Sequence, residues 1–509
     1  MVHEVAETIG GGYLMHPLFQ ISNTSLKKDV QRAAVLNLTA QGFGLLLQFV
    51  SLIFLARLVT PDHYGVFSMV TPFVAIIMIF GDLGLASAVL QQRELTEGQA
   101  SAVLWINVIA GLILGGIFLA GAPLLGFFYH EPRVTPVAAA LSPIFLISGL
   151  TAVQTALLRR ALRFGTLLRA ALVGGVVSTA VGVGLAFLGA GYWALTARTL
   201  AGPLVSSIFL WMSTRWVPPR PQWDATTRSM LRYGKFFVAF LFMNTLGRQG
   251  DNVLIGWRYG SIELAPYALA YRFFFLPVQQ ITAPLGQVLI PAFSRLHDDQ
   301  AKLKSWYLKV LRLITFCAFP PVFSLVVCAD DVIRLLAGSR WDKAAVILQW
   351  LAPIGALHVG YTTIGWLMQS QGRADRNFRW GCVAIPAYIV SFILGLPWGA
   401  VGVAAAYAAA NLLLIIPGFI YGTKGTLIRL PDVFAAVLPC LLVTAATLPA
   451  VYVVRFIIAP DWLIAPRLAL TGVVIAAIML VGAMLTYGVS NLLDSVRSSR
   501  HLFFKLREA

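Results

Sequence analysis

The sequence predicts an all-α polytopic membrane protein of about fourteen transmembrane helices, built as two pseudo-symmetric six-helix lobes followed by two further helices. Three observations carry this prediction. From Ala33 to Val489 apolar stretches of roughly 20 residues follow one another, each long enough to span a bilayer core as a helix. Hydrophobic residues make up 58% of the chain against 12% charged, with a mean hydropathy of +0.79. Basic residues collect in alternate joints between the stretches.

The spans follow in order from their polar boundaries. The first, 33–56, lies between Lys27, Lys28 and Arg32 and the outer Arg57; 66–90 returns to Arg93; 100–125 and 134–158 flank Arg133 and end at Arg159 and Arg160. Spans 168–188 and 192–213 complete a first set of six. The joint Val217 to Trp223 (V-P-P-R-P-Q-W) then breaks and stiffens the chain, because proline removes a helix donor and fixes its backbone. The second set runs 234–257, 262–290, 307–329, 345–370, 379–396 and 400–422, and 432–455 and 466–489 follow. The expected segmentation is a cytoplasmic extension (1–30), an N-lobe (31–215), a cytoplasmic linker (216–232), a C-lobe (233–423), two extra helices (424–490) and a basic cytoplasmic tail (491–509). The longest polar stretches have about 20 residues, too few for a soluble core.

The net charge of +17 would suit nucleic acid, but its distribution excludes that reading. With the N-terminus inside, the inner joints hold 27 Lys and Arg and the outer joints 8, while Arg198, Arg248 and Arg272 lie within spans. This bias predicts that both termini are cytoplasmic. Cys317, Cys328, Cys382 and Cys440 stand singly in apolar runs, as structural thiols do. The first 30 residues have no continuous apolar core and read as an extension, not a signal peptide.

The two halves repeat. Leu55 to Met69 (L-A-R-L-V-T-P-D-H-Y-G-V-F-S-M) aligns without gaps to Ile255 to Leu269 (I-G-W-R-Y-G-S-I-E-L-A-P-Y-A-L) at an offset of 200. Each is the end of one helix, a short outer turn and the start of the next, so a duplicated six-helix unit with a cleft between the copies is expected.

Charges inside a membrane are costly and mark function. Asn244, Arg248 and Asp251 fall at i, i+4 and i+7, one helical face, and Gln41 and Gln48 form a similar stripe in the first span, with Gln48 matching Arg248 under the offset. The next span carries Arg272 with Gln279 and Gln280 further on. A cavity lined by Gln48, Asn244, Arg248, Asp251 and Arg272 is expected, with Gln41 and Gln279 as further substrate contacts. The arginine forks suit phosphate or carboxylate oxygens. The competing readings are that Arg248 and Asp251 neutralise each other locally, and that Arg272 snorkels to the outer interface. Asp82, among small residues, is either a cation or proton site or a capped polar residue near a kink. His358 and Gln369 are weaker candidates. Asp330, Asp331 and Asp342 read as a solvated polar turn. The sequence holds no phosphate-binding glycine loop, HExxH or nucleophile elbow, so a transporter needing no cofactor is expected over an enzyme.

Phe80 to Gln92 (F-G-D-L-G-L-A-S-A-V-L-Q-Q), Gly247 to Gly256 (G-R-Q-G-D-N-V-L-I-G), Tyr267 to Arg272 (Y-A-L-A-Y-R), Ile290 to Asp299 (I-P-A-F-S-R-L-H-D-D) and Gln369 to Asp375 (Q-S-Q-G-R-A-D) resemble the Wzx-type oligosaccharide flippases, in the colanic-acid-exporter-like branch of the multidrug/oligosaccharidyl-lipid/polysaccharide exporter superfamily. The resemblance implies lobes set in a V and movement of undecaprenyl-diphosphate-linked oligosaccharide between leaflets by alternating access, for exopolysaccharide, capsule or O-antigen synthesis beside a polymerase and export machinery. It also implies coupling to a proton or sodium gradient, for which Asp82 and Asp251 are the deep acidic residues. The alternatives are a small-molecule cation antiporter of the same superfamily, whose cavity should be acidic, and a membrane glycan polymerase.

Overall fold

The computed structural model describes residues 26–82, 89, 95–458 and 464–487, and among them every regular element is helical. In chain order these are α1 (Leu26–Leu58), α2 (Pro61–Asp82), α3 (Glu97–Tyr129), α4 (Val134–Leu141), α5 (Pro143–Arg160), α6 (Phe164–Phe187), α7 (Tyr192–Thr214), α8 (Ala225–Ser294), α9 (Gln300–Leu336), α10 (Asp342–Ser370), α11 (Ala374–Gly395), α12 (Gly399–Thr423), α13 (Leu430–Ile457) and α14 (Ile464–Tyr487). Ten helical segments of the described residues are long and apolar enough to cross a membrane, one of them running through both α11 and α12. The chain is a multi-pass membrane protein. The predicted extension (1–30, but for its last residues) and the tail (491–509) lie outside the described residues, as does most of the Phe80 to Gln92 motif.

Local chemistry sets the breaks. Thr96 and Gln99 close a capping box at the start of α3, each side chain accepting from the other's backbone N–H at 3.2 and 3.1 Å. The predicted span 134–158 is two helices, because Pro143 starts a new one after Ser142. The predicted spans 234–257 and 262–290 are the two arms of α8, folded back at Gly260, whose φ of 80° and ψ of −171° suit glycine. Thr60, between α1 and α2, is its counterpart at the offset of 200. At Gly65 on α2 an added Cβ would lie 2.0 Å from the Ser261 carbonyl oxygen, so the glycine permits α2 and the second arm of α8 to cross backbone to backbone.

The linker behaves differently from a free joint. Trp216 is 2% exposed and packs in the N-terminal half against residues such as Leu157 and Val103. Ser101 donates to the Pro219 carbonyl at 2.5 Å, the Gln222 N–H to the Gly98 carbonyl at 3.0 Å, and the Gln99 amide to Asp224 at 2.6 Å. The segment is strapped across the start of α3, and α8 begins at Ala225, inside the range 216–232.

The cores define the site. At the predicted outer end one buried core spans both halves, joining Leu55, Tyr64 and Phe145 to Ile255, Tyr267 and Leu348. At the predicted inner end the described residues form two cores, one around Trp216 and the other around Tyr307 and Leu367. One core thus joins the halves at the outer end, and toward the inner end Phe80 of α2 still meets Phe242 of α8, with 5.7 Å between ring centroids. The helices α13 and α14 pack on α9. Here the solvated-turn reading of Asp330 and Asp331 is corrected: both lie within α9, Asp330 pairing with Arg455 of α13 at 2.9 Å and Asp331 with Arg467 of α14 in a buried contact. Asp342 is the most exposed of the three, paired with Arg334 at 3.0 Å.

Candidate functional site

A cavity of about 420 Å³ lies where the halves meet. From the N-terminal half α1 contributes Gln48, α2 contributes Tyr64, Ser68 and Thr71, and α7 contributes Arg198; from the other half α8 contributes Arg248, Asn252, Tyr271 and Arg272. Three arginines thus converge from three helical segments, and no carboxylate stands among the described lining residues. The Arg272 guanidinium lies over the Tyr64 ring, 5.8 Å from its centroid, which crosses from one half to the other. Arg198 Nε is buried without a hydrogen-bond partner among the described residues. Such a donor is costly unless an acceptor meets it. Such a lining is chemically suited to anionic oxygens, since guanidinium forks can meet phosphate or carboxylate in two parallel hydrogen bonds.

A second cavity of about 350 Å³ adjoins the first, sharing Arg248, Tyr271 and Phe275 with it. Its walls come from α8, α10, α11 and α12, and include Asn244, Gln279, His358, Tyr361, Asn377, Trp380, Tyr388 and Tyr407. Arg248 lies 4.3 Å above the Phe275 ring, at the junction of the two spaces.

The residues picked from sequence separate into groups. Gln48, Arg248 and Arg272 line the first cavity, and Asn244, Arg248 and Gln279 the second. The side chains of Gln41, Gln280 and Asp82 lie outside the described residues. The expected place of Asp251 on the cavity wall is corrected: it is 1% exposed, accepts from the Tyr267 hydroxyl at 2.7 Å and from the Asn252 N–H at 2.7 Å, and lines neither cavity. It makes no ion pair with Arg248 among the described residues. The stripe on α8 is continuous in sequence, but near Gly260 the second arm folds over it and covers its last member. Arg272 contacts Tyr64 inside the cleft, not an outer interface. Arg198 had no partner in sequence; its place in the cleft follows from the packing of α7. The aromatic wall of the second cavity was unforeseen, because rings in uniformly apolar spans carry no periodic contrast.

Comparison with known proteins adds to this geometry. The family described as "Polysaccharide biosynthesis protein" matches residues 54–346. The lipopolysaccharide biosynthesis protein WzxC of Escherichia coli (strain K12) is 24% identical over 405 residues, which are 78% of this chain and 80% of WzxC. The teichuronic acid biosynthesis protein TuaB of Bacillus subtilis (strain 168) is 25% identical over 390 residues, 74% of this chain and 78% of TuaB. Among solved structures, the lipid II flippase MurJ in an inward closed conformation has a TM-score of 0.73 at 15% identity, covering 89% of this chain and 99% of MurJ. That likeness shows a shared fold.

Proposed function

The chain belongs to the polysaccharide biosynthesis protein family, and we propose that it is a flippase that carries a lipid-linked oligosaccharide across the membrane. It is a transporter and not an enzyme. The observation that carries the reading is the cavity between the halves with Arg198, Arg248 and Arg272 and no lining carboxylate among the described residues. A diphosphate with attached sugars cannot cross hydrocarbon unaided. A cationic cleft takes the headgroup while the lipid tail stays in the bilayer. We assign the carrier lipid to undecaprenyl diphosphate, the membrane to the bacterial inner membrane and both termini to the cytoplasm, the last supported by the basic bias of the inner joints. On that orientation the fused ends face the periplasm, and rocking of the halves supplies alternating access. A polymerase and export machinery would receive the product. Gradient coupling would rest on Asp82 or Asp251.

The cation antiporter reading predicts an acidic cavity, and the described lining is basic. The test reconstitutes the protein in liposomes with undecaprenyl-diphosphate-linked oligosaccharide extracted from cells deleted for its gene. Wild type should move the lipid without changing its mass. Arg248→Ala and Arg272→Ala should abolish movement at near-normal abundance, and lysine should restore it in part, since it lacks the fork. Wild-type rates in both alanine variants would defeat the proposal. Cysteine at Ser339 and at Ser305, exposed at opposite ends, tests orientation: labelling from outside intact cells should mark the first and spare the second.

A further inference from the structure

The two adjoining cavities differ in chemistry although they share a wall. The first offers three guanidinium groups; in the second, Arg248 at the junction is the one arginine or lysine among the described lining residues. What the second cavity has instead is ring surface from Tyr361, Trp380 and Tyr388, and amides from Asn244, Gln279 and Asn377. The donors of two of these rings are already engaged. The Trp380 indole donates to the Tyr361 hydroxyl, and the Tyr388 hydroxyl donates to Asn411 at 3.2 Å. These bonds hold the rings in place, and although Trp380 stacks on Tyr421 with 5.6 Å between centroids, the rings still present carbon surface to the cavity beside the Tyr361 hydroxyl.

A ligand for this lining must be apolar on its faces and hydroxylated at its edges. A pyranose has both properties: axial C–H bonds make a face that packs on an aromatic ring, and its rim of hydroxyls gives and takes hydrogen bonds, as carboxamides do. A second diphosphate would meet Arg248 as its one guanidinium here, at the boundary that the first cavity already shares. A cationic drug would lack a carboxylate, and a lipid tail would leave three amides unpaired. The volume of about 350 Å³ is at the lower end of ligand pockets, roughly 300–1,000 Å³.

We propose that the second cavity is a pyranoside subsite, seating the sugars that adjoin the diphosphate while the diphosphate lies in the first cavity, with Arg248 at the boundary. The inference rests on the flippase reading, and it places recognition of the glycan in the C-terminal half alone.

The test measures binding to purified protein in lipid nanodiscs with two probes, undecaprenyl-diphosphate-linked oligosaccharide from gene-deleted cells and undecaprenyl diphosphate without sugar. Trp380→Leu and Asn377→Ala should each weaken the glycosylated probe about tenfold and leave the sugar-free probe within about twofold. Arg272→Ala should weaken both. Retained binding of the sugar-free probe is the control for folding; should Trp380→Leu fail it, Asn377→Ala at its half-buried position decides alone. If Asn377→Ala and any folded ring variant weaken both probes equally, or neither, while Arg272→Ala still weakens both, the subsite is wrong and the flippase reading stands. If wild type binds neither probe, both are overturned.

Discussion

Trp341 donates its indole N–H to the main-chain carbonyl of Ala56 at 2.7 Å, a hydrogen bond that runs from the C-terminal half into the N-terminal half. The ring is 1% exposed and meets Tyr64 edge-on, with 5.4 Å between centroids. Arg57 donates to the Leu335 and Leu336 carbonyls, capping the end of α9, where a cation also complements the helix dipole. Ser261 donates to Asp62 at 2.5 Å, and Asp62 is held by Arg133 at 2.6 Å. Four cross-half contacts therefore clasp the fused ends, directly beyond the arginine cavity that Tyr64 lines.

Loosening this clasp should shift the protein toward the conformation open at that end. Trp341→Phe with Ser261→Ala removes two cross-half hydrogen bonds, each worth about 1 kcal/mol net, and so shifts the equilibrium by roughly tenfold or more. With Thr71→Cys as a reporter in the cavity wall, an impermeant maleimide added from the outer face should react faster by a similar factor. An unchanged rate would mean that these contacts are not the gate.

The same clasp has a pH dependence with a definite sign. Arg133 donates to both oxygens of Glu131, at 2.8 and 2.9 Å, and holds the carboxyl below its ordinary value of 4.5. A carboxyl depressed on folding contributes stability that is present above its unfolded value and lost as pH falls through the folded one. The gap in thermal midpoint between wild type and Glu131→Gln should be constant near neutrality and close only below about pH 4.5. A gap that widened on acidification would contradict the pairing.

How far the sequence reached depends on what kind of contact was at stake. The repeat was legible at the offset of 200, because Thr60 and Gly260 mark the same event in each half. Asn244, Arg248 and Gln48 could be placed on cleft-facing stripes, since helical periodicity alone assigns a face. Asp251 could not, because what covers it is Tyr267, sixteen residues on, after a bend that only the fold reveals. Asp331 and Arg467 stand 136 residues apart, so each looked like a solvated joint. Tyr361, Trp380 and Tyr388 were invisible as a site, since in spans that are apolar throughout nothing tells a cavity ring from a lipid-facing one.

Asp251 yields a prediction that separates structure from coupling. Both its oxygens accept hydrogen bonds in a buried place, so Asp251→Asn leaves one acceptor replaced by a donor, at a cost of about 1–3 kcal/mol. Abundance and thermal midpoint should fall while transport per folded molecule remains near that of wild type. Normal abundance with lost transport, or lost gradient dependence, would instead give the carboxylate a coupling role.

The two ion pairs that pin the C-terminal helices should differ sharply in energy. Asp331 and Arg467 have side chains only 3% and 5% exposed, whereas Asp330 and Arg455 are about a third exposed. Removing one member of a buried pair strands a charge, at roughly 3–5 kcal/mol, while a solvent-screened pair contributes about 0–1 kcal/mol. Arg467→Met should therefore lower the thermal midpoint in detergent far more than Arg455→Met. Adding Asp331→Leu to Arg467→Met should recover most of the loss, because an apolar pair removes the stranded carboxylate along with the ion pair. Equal effects of the two arginine substitutions, or no recovery in the double variant, would show that α14 is held to α9 by apolar packing and not by this pair.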